Sequence, residues 1–230
     1  LRSLLFLNSG IITKKKPKSV GMILTAADTM KTYLHPGDEV YLRLRKGVEY
    51  KEDDILTIYK VRDKVHHPKT KKYLGKYIDV IGSLKITSAE EPVSAVIIRS
   101  NKEVFVGSDL IAEFIPTDTV PIKDTDKNIN GTIVFAGESK MLAAERQLMY
   151  LDRGSKDGLE VGTILEVYKD RDPVDDPYSN KKIELPQRSI ANLLVIRVYK
   201  KTATVFILSS SEEVYIGDKF RTVPAMVLDF

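Results

Sequence analysis

Three side chains with metal-binding chemistry lie within five residues of the sequence, namely Asp63, His66 and His67. A carboxylate and two imidazoles are ligands that zinc accepts. Neighbouring residues of a strand point to opposite faces, however, so His66 and His67 would not face the same ion. The chain has no cysteine, which excludes thiolate ligands and thiolate nucleophiles. We therefore predict no metal and no cofactor here.

A second group with metal-binding chemistry is an acidic cluster formed by Asp170, Asp172, Asp175 and Asp176. Oxygen ligands at this density are typical of calcium loops. An EF-hand that started at Asp170 would place Asp175 at the required glycine and Lys181 at the bidentate glutamate, so an EF-hand is excluded. An irregular calcium loop and a solvated acidic loop both stay open, and we favour the solvated loop.

The binding pattern that occurs twice is Tyr-Lys-x-Arg-Asp-x-Val-x-x-Pro, which begins at Tyr59 and again at Tyr168. It predicts a strand that runs into a loop. In the interpretation that we favour, the arginine and aspartate pair to shape the loop. In the alternative, the loop presents its arginine to a partner. The candidate binding residues are Tyr59, Arg62, Asp63, Tyr168, Arg171 and Asp172.

The sequence offers little for catalysis. Its three histidines, His35, His66 and His67, all fall in the first third of the chain. Gly-x-Ser-x-Gly, Walker and Gly-x-Gly-x-x-Gly motifs are absent from it. We predict that the chain is not an enzyme.

The Tyr-Lys-x-Arg-Asp pattern belongs to a tandem repeat that covers most of the chain. The offset between the copies is 109 residues from Tyr41 and Tyr150 through Ile98 and Ile207, and it becomes 110 near the end. Such self-similarity predicts two copies of one structural unit. Runs of β-branched residues separated by glycine turns indicate short strands. We therefore predict a mostly β fold, with two tandem homologous small β-barrel-like domains and little helix.

Composition and charge divide the chain into five segments. The net charge is +4, and the first 20 residues carry five basic side chains and no acidic one, whereas each repeat is close to neutral. A nucleic-acid-binding domain carries positive charge on its own face, so we predict no nucleic-acid partner. The predicted segments are a leader and basic link (1–20), the first repeat (21–114), a linker (115–130), the second repeat (131–222) and a tail (223–230).

The first copy contains turn and strand signatures at a defined spacing: Gly21-Met22-Ile23, Gly37-Asp38, Val40-Tyr41-Leu42, Gly47-Val48, Tyr59 with Arg62, Ile81-Gly82 with Leu84 and Ile86, Ala95-Val96-Ile97, and Gly107. In this pattern the chain resembles the region that follows the LysM domain in a family of bacterial cell-envelope proteins. That family includes the type IV pilus secretin-associated protein TsaP, and its C-terminal part is related to the flagellar ring protein FlgT. The resemblance implies a periplasmic or cell-envelope location and a non-enzymatic role in anchoring a large machine.

The resemblance also implies partners. They are an envelope protein complex such as a secretin or a basal-body ring, and peptidoglycan through a LysM domain expected upstream of Leu1. The duplicated domains would present sheet edges and loops to such a complex or to further copies of the chain in a homo-oligomer. A module that binds peptidoglycan glycan directly and a cell-wall enzyme stay open as alternatives. One departure is the pair Arg146-Gln147, which replaces Gly37-Asp38 in the second copy and predicts that this turn is not shared.

Overall fold

The computed structural model describes residues 9–112, 119–137, 141–179 and 181–224. The predicted leader, linker and tail therefore lie partly outside the described residues. Within these described residues, strands form nearly all of the regular structure, together with one 3-10 turn at Ser155–Asp157. In the described part of the chain, no helix has the length and hydrophobicity needed to cross a bilayer.

The first copy is a closed antiparallel barrel. Its strands are β1 (Ile11–Thr13), β2 (Gly21–Ala26), β3 (Tyr33–Leu34), β4 (Glu39–Leu44), β5 (Ile55–His66), β6 (Tyr73–Ser88), β7 (Ser94–Ser100), β8 (Val104–Phe105) and β9 (Asp109–Ile111). Six of them close the barrel in the order β6-β5-β9-β2-β4-β7, and β7 pairs back onto β6. The strand β1 pairs with the first half of β6, and β3 pairs with β8.

The second copy forms a barrel of the same kind. Its strands are β10 (Asn130–Phe135), β11 (Leu142–Ala143), β12 (Leu148–Leu151), β13 (Ile164–Lys169), β14 (Val174–Asp175), β15 (Lys182–Ile183), β16 (Arg188–Val198), β17 (Ala203–Ser210), β18 (Val214–Tyr215) and β19 (Lys219–Thr222). The closed order is β10-β12-β17-β16-β13-β19, which repeats the first barrel strand for strand. The predicted fold of two tandem small β-barrels with little helix is confirmed.

Each barrel has its own apolar core because alternate side chains of a strand point inward. In β4, Val40 and Leu42 are 0% and 4% exposed, whereas Arg43 is exposed. In the equivalent strand β12, Met149 and Leu151 are both 0% exposed. One large cluster of buried apolar residues fills each barrel. The alternation of side chains that is visible in the sequence therefore accounts for the core.

The strand pairings show which residues of β7 and β17 are equivalent, and they correct the offset that the sequence comparison gave for these strands. Ala95 lies opposite Val40, and Val205 lies opposite Met149. Val40 and Met149 differ by 109 positions, but Ala95 and Val205 differ by 110. The offset therefore changes from 109 to 110 before β7 and β17. The sequence comparison placed this change later, near the end of the copy. The correction matters because a shift of one residue exchanges the inner and outer faces of a strand.

The turn before β4 is shared by both copies, and the prediction that it is not shared was wrong. Gly37 has a φ of +93° and Arg146 a φ of +60°. The Gly37 amide donates to the Ile97 carbonyl at 2.8 Å, and the Arg146 amide donates to the equivalent Ile207 carbonyl at 3.0 Å. Pairing with the neighbouring strand holds an arginine in the left-handed conformation that local preferences assign to glycine.

We expect Arg146→Gly to raise the free energy of unfolding by about 0.5–1 kcal/mol. A left-handed conformation costs an L-residue about 1–2 kcal/mol, and the greater freedom of glycine in the unfolded chain offsets part of the gain. Urea denaturation measures the change. The reverse substitution Gly37→Arg is the matched control and should lower stability. A lower stability of Arg146→Gly would contradict the explanation.

The hairpin of β5 and β6 is longer than the sequence predicted. The strand β5 continues through His66 and pairs with the beginning of β6, so the expected loop between Arg62 and Pro68 is strand for most of its length. The tip is closed by the His67 amide, which donates to the Lys72 carbonyl at 2.9 Å. In the second copy residues 170–173 interrupt the strand, and the hairpin is the separate pair β14 and β15.

The short strand β1 lies between the two barrels. Its Ile12 pairs with Tyr77 of β6 in the first barrel. The carbonyl oxygens of Gly10 and Ile12 accept hydrogen bonds from the hydroxyls of Thr204 at 2.8 Å and Thr202 at 2.6 Å, which are buried residues of the second barrel. Because buried hydroxyls require partners, these bonds tie the second barrel to β1 and through it to the first.

An aromatic cluster forms the rest of the contact between the barrels. Tyr77 of the first barrel packs against Phe135 and Tyr150 of the second, with ring-centroid distances of 5.0 and 5.2 Å. The Tyr150 hydroxyl donates to the Tyr77 hydroxyl at 3.0 Å. Burial raises the pKa of both phenols, so both are neutral at physiological pH. The barrels therefore share one buried cluster, which also contains Ile12.

The segment before the second barrel packs against that barrel. Val120 is 1% exposed and contributes to a cluster with Ile164 and Phe206. Lys123 forms a single β-bridge with Thr163. These contacts hold the described part of the linker, which begins at residue 119, on the surface of the second barrel.

Candidate functional site

The first copy of the Tyr-Lys-x-Arg pattern lines an open cleft of about 850 Å³ on the first barrel. The strand β5 contributes Tyr59 to Arg62, and it is held in place by β6 on one side and β9 on the other. The lining residues are Lys16, Tyr59, Lys60, Val61, Arg62, Ile81, Lys102, Glu103, Phe105, Val106, Gly107, Ser108 and Asp109. The cleft therefore brings together three separate parts of the first repeat and Lys16, which precedes that repeat.

The cleft is basic and partly apolar. Two of its side chains are acidic, Glu103 and Asp109, and four are basic. The basic residues are Lys16, Lys60, Arg62 and Lys102. Phe105 and Val106 are 37% and 44% exposed and add apolar surface. Because the basic side chains of the cleft outnumber the acidic ones by four to two, the cleft suits an anionic segment that also carries apolar side chains.

A buried carboxylate below the cleft orients two of its cations. Asp79 is 1% exposed and accepts hydrogen bonds from Lys102 Nζ at 2.6 Å and Arg62 Nε at 3.3 Å. The Tyr77 hydroxyl donates to the same carboxylate at 3.3 Å. Arg62 therefore pairs with Asp79 and not with its neighbour Asp63, which is exposed. The favoured pairing of adjacent arginine and aspartate does not hold for the first copy.

Tyr59 belongs to the interior and not to a surface loop. It is 1% exposed and packs in a cluster with Ile11, Ile78 and Ile111. Burial raises the pKa of its phenol, and the nearby Asp109 carboxylate raises it further. The phenol is therefore neutral. Tyr59 shapes the base of the cleft, and Lys60 and Arg62 are the charged members of the pattern that line it.

The second copy of the pattern has different surroundings. Tyr168 is half-buried beneath Arg221, whose guanidinium carbon lies 4.8 Å from the ring centroid. Arg171 and Asp172 are exposed and follow the end of β13. Lys169, the counterpart of Lys60, is paired with a glutamate. The two copies of the pattern thus lie on different barrels and do not form one site.

The two copies of the repeat differ in one ion pair, whose acidic and basic positions are exchanged between them. Asp79 and Lys102 of the first copy correspond to Arg188 and Glu212 of the second, which also form an ion pair. Glu212 lies 3.4 Å from Lys169 as well, so it neutralises a charge that is available in the first copy. Sequence reasoning missed Asp79 and Lys102. A comparison of charges between the repeats would have found them, because both positions change sign.

The histidine and aspartate groups have structural roles. The His67 ring nitrogen Nδ1 accepts hydrogen bonds from the amides of Lys69 and Thr70, so His67 caps the hairpin tip. Asp170 pairs with Gln187 and Lys219. Among the residues that the structure describes, no group of three or more His, Asp or Glu side chains could hold a metal ion.

No family model matches this chain, and no curated protein is a significant match. The cleft and the contacts between the barrels therefore carry the functional inference.

Proposed function

We propose that this chain is a non-enzymatic scaffold module of the bacterial cell envelope that binds an acidic segment of an assembly protein. The observation that carries the proposal is the basic cleft on the first barrel, with Lys16 and Lys60 at its surface. Exposed Phe105 and Val106 beside these lysines would contact apolar side chains of the same segment. Charge complementarity would set the encounter rate and the orientation of the partner.

The resemblance to the LysM-associated family supports the location and the kind of partner. It favours the periplasm, a secretin or a basal-body ring as the bound machine, and a LysM domain as the separate peptidoglycan anchor. The shared cluster between the barrels also suits a scaffold, because Tyr77 and Tyr150 hold the two barrels together through buried contacts. Such a unit would present its cleft in a constant position relative to the second barrel.

The test measures binding to the purified periplasmic domains of the secretin and of the ring proteins from the same organism. We expect Lys16→Glu combined with Lys60→Glu to weaken binding to the cognate partner at least tenfold. The wild-type affinity should also fall as salt is raised, since exposed charges are screened. Lys51→Glu is the control, because Lys51 lies before β5 and outside the cleft. Unchanged binding by the double variant would reject the cleft as the site.

A second candidate function is direct binding of peptidoglycan glycan. It is favoured by the exposed aromatic pair of β3 and β8, where Tyr33 is 51% exposed and lies 5.2 Å from the Phe105 ring. Aromatic faces of this kind can contact the apolar face of a sugar ring. Sedimentation of the chain with purified sacculi, lost in Tyr33→Ala, would favour this function over the scaffold.

A further inference from the structure

We propose that copies of this chain associate head to tail. The hairpin of β14 and β15 in one copy would dock on the outer face of β2 and β4 in the first barrel of the next copy. The partner is another molecule of the same chain, because each molecule already contains this contact once, between its own two barrels. Each half of that contact has an exposed equivalent elsewhere on the molecule.

The contact within the chain joins a hairpin to a barrel face. Val65 of the first hairpin is 4% exposed and belongs to the same cluster as Val134 and Tyr150 of the second barrel. Leu74, on the partner strand of that hairpin, packs against the cluster as well. Val134 and Tyr150 are 3% and 2% exposed. The hairpin and the face therefore bury each other's apolar side chains.

The equivalent hairpin of the second barrel, β14 and β15, has exposed apolar side chains. Its tip is closed by the Asp176 amide, which donates to the Lys181 carbonyl at 2.8 Å, as His67 does to Lys72 in the first hairpin. This match assigns Val174 to Val65 and Ile183 to Leu74 at an offset of 109 residues. Val174 and Ile183 are 46% and 49% exposed. Paired side chains of this kind on an exposed hairpin form an apolar patch.

The equivalent face of the first barrel is also exposed. The pairing of β2 with β4 matches that of β10 with β12, including the bulge, and assigns Leu24 to Val134. Leu24 is 41% exposed, and its neighbour Met22 is 39% exposed. Tyr41, the counterpart of Tyr150, is half-buried on the same face. The first barrel thus presents the surface that the second barrel buries.

The charges at the edge of the contact support the same pairing. Within the chain, His67 Nε2 lies 3.3 Å from Asp152 Oδ2. The counterparts are Asp176 for His67 and Arg43 for Asp152, so the hydrogen-bond donor and the carboxylate exchange places and the pair stays complementary. Hydrogen bonds from the Ser179 hydroxyl and from backbone amides lower the pKa of Asp176, which is therefore ionised at neutral pH. Arg43 is exposed and free to meet it from another copy.

The contact between two molecules would be smaller than the contact between the two barrels of one molecule. The first hairpin also packs on β1, which approaches because Gly75 has no side chain; a Cβ there would lie 2.4 Å from the Thr13 carbonyl carbon. Glu184 occupies the equivalent position of the second hairpin, so a β1-like strand cannot approach in the same way. Association is therefore expected to be reversible and to depend on concentration. Its two surfaces differ, so each molecule that is added leaves one surface of each kind available until the assembly closes into a ring.

Sedimentation velocity of the full chain over a range of concentrations tests the proposal. We expect the average mass of the wild-type protein to rise with concentration. Ile183→Asp and Leu24→Asp should each weaken self-association at least tenfold, because each places a charge in the apolar contact. An equimolar mixture of these two variants should form dimers and stop there, since one blocked surface remains on each partner. Met30→Asp is the control, because Met30 is 89% exposed and lies outside both surfaces.

A charge exchange provides a second, independent readout. Arg43→Asp should weaken association, and the added substitution Asp176→His should restore it, because the pair then has the composition of His67 and Asp152. A wild-type chain that stays monomeric at every concentration would overturn the proposal. So would blocked variants whose mixture does not dimerise, since that result indicates a contact between identical surfaces. Thermal unfolding of each variant confirms that the barrels are intact.

Discussion

Replacing Ile12 by aspartate is expected to lower the free energy of unfolding by about 3–5 kcal/mol and to separate the two barrels. Ile12 is 2% exposed and lies in the cluster that contains Val65, Tyr77 and Tyr150. The substitution removes a buried apolar side chain and places a carboxylate where no cation is adjacent in the cluster. We expect the cooperative unfolding of the pair to split into two transitions, one for each barrel.

Differential scanning calorimetry measures this effect, and the fluorescence of tyrosines at the contact between the barrels follows it independently. The matched control is Ile98→Asp, because Ile98 is a strand residue that is 40% exposed. We expect that control to change stability by about 1 kcal/mol or less. A single transition in Ile12→Asp with an unfolding free energy close to that of the wild type would show that β1 does not join the barrels.

Replacing Asp79 by alanine is expected to lower the free energy of unfolding by about 2–3 kcal/mol. The change removes the shared acceptor of Lys102 and Arg62 and leaves the Tyr77 hydroxyl with one partner fewer. Loss of one member of a fully buried ion pair costs about 3–5 kcal/mol. The expected value is lower because the side chains of Lys102 and Arg62 are 37% and 28% exposed and are partly solvated after the change.

The second barrel provides the control for Asp79→Ala at the equivalent position. Arg188 pairs with Glu212, but the Arg188 side chain is 44% exposed and that of Glu212 is 32% exposed. Arg188→Ala should therefore cost less than about 1 kcal/mol. Chemical denaturation of both variants gives the comparison. Equal costs at the two positions would mean that burial of Asp79 does not set the strength of its ion pair.

The ion pair at Asp79 also links the contact between the barrels to the candidate cleft. Asp79 receives one hydrogen bond from Tyr77, which belongs to the cluster between the barrels, and two from Arg62 and Lys102, which line the cleft. Separation of the barrels would therefore disturb the orientation of both cations. Partner binding and association of the barrels are expected to weaken together in Ile12→Asp.

The sequence alone determined the fold class and the duplication. Alternating apolar residues such as Val40 and Leu42 require inward and outward faces, and the repeat requires two copies of one unit. Both properties depend on neighbouring residues in one strand or on similarity along the chain. For the same reason the two candidate tyrosines, Tyr59 and Tyr168, were placed correctly in equivalent strands.

Only the tertiary structure decided which of these residues are buried and what they contact. Tyr59 is buried beside Ile11 of β1, whereas Tyr168 in the equivalent strand is half-buried under Arg221. Arg62 pairs with Asp79, 17 positions away, because the register of β5 and β6 brings them together. Burial and ion pairing depend on segments that are distant in sequence, so equal patterns in the two copies acquire different surroundings and different roles.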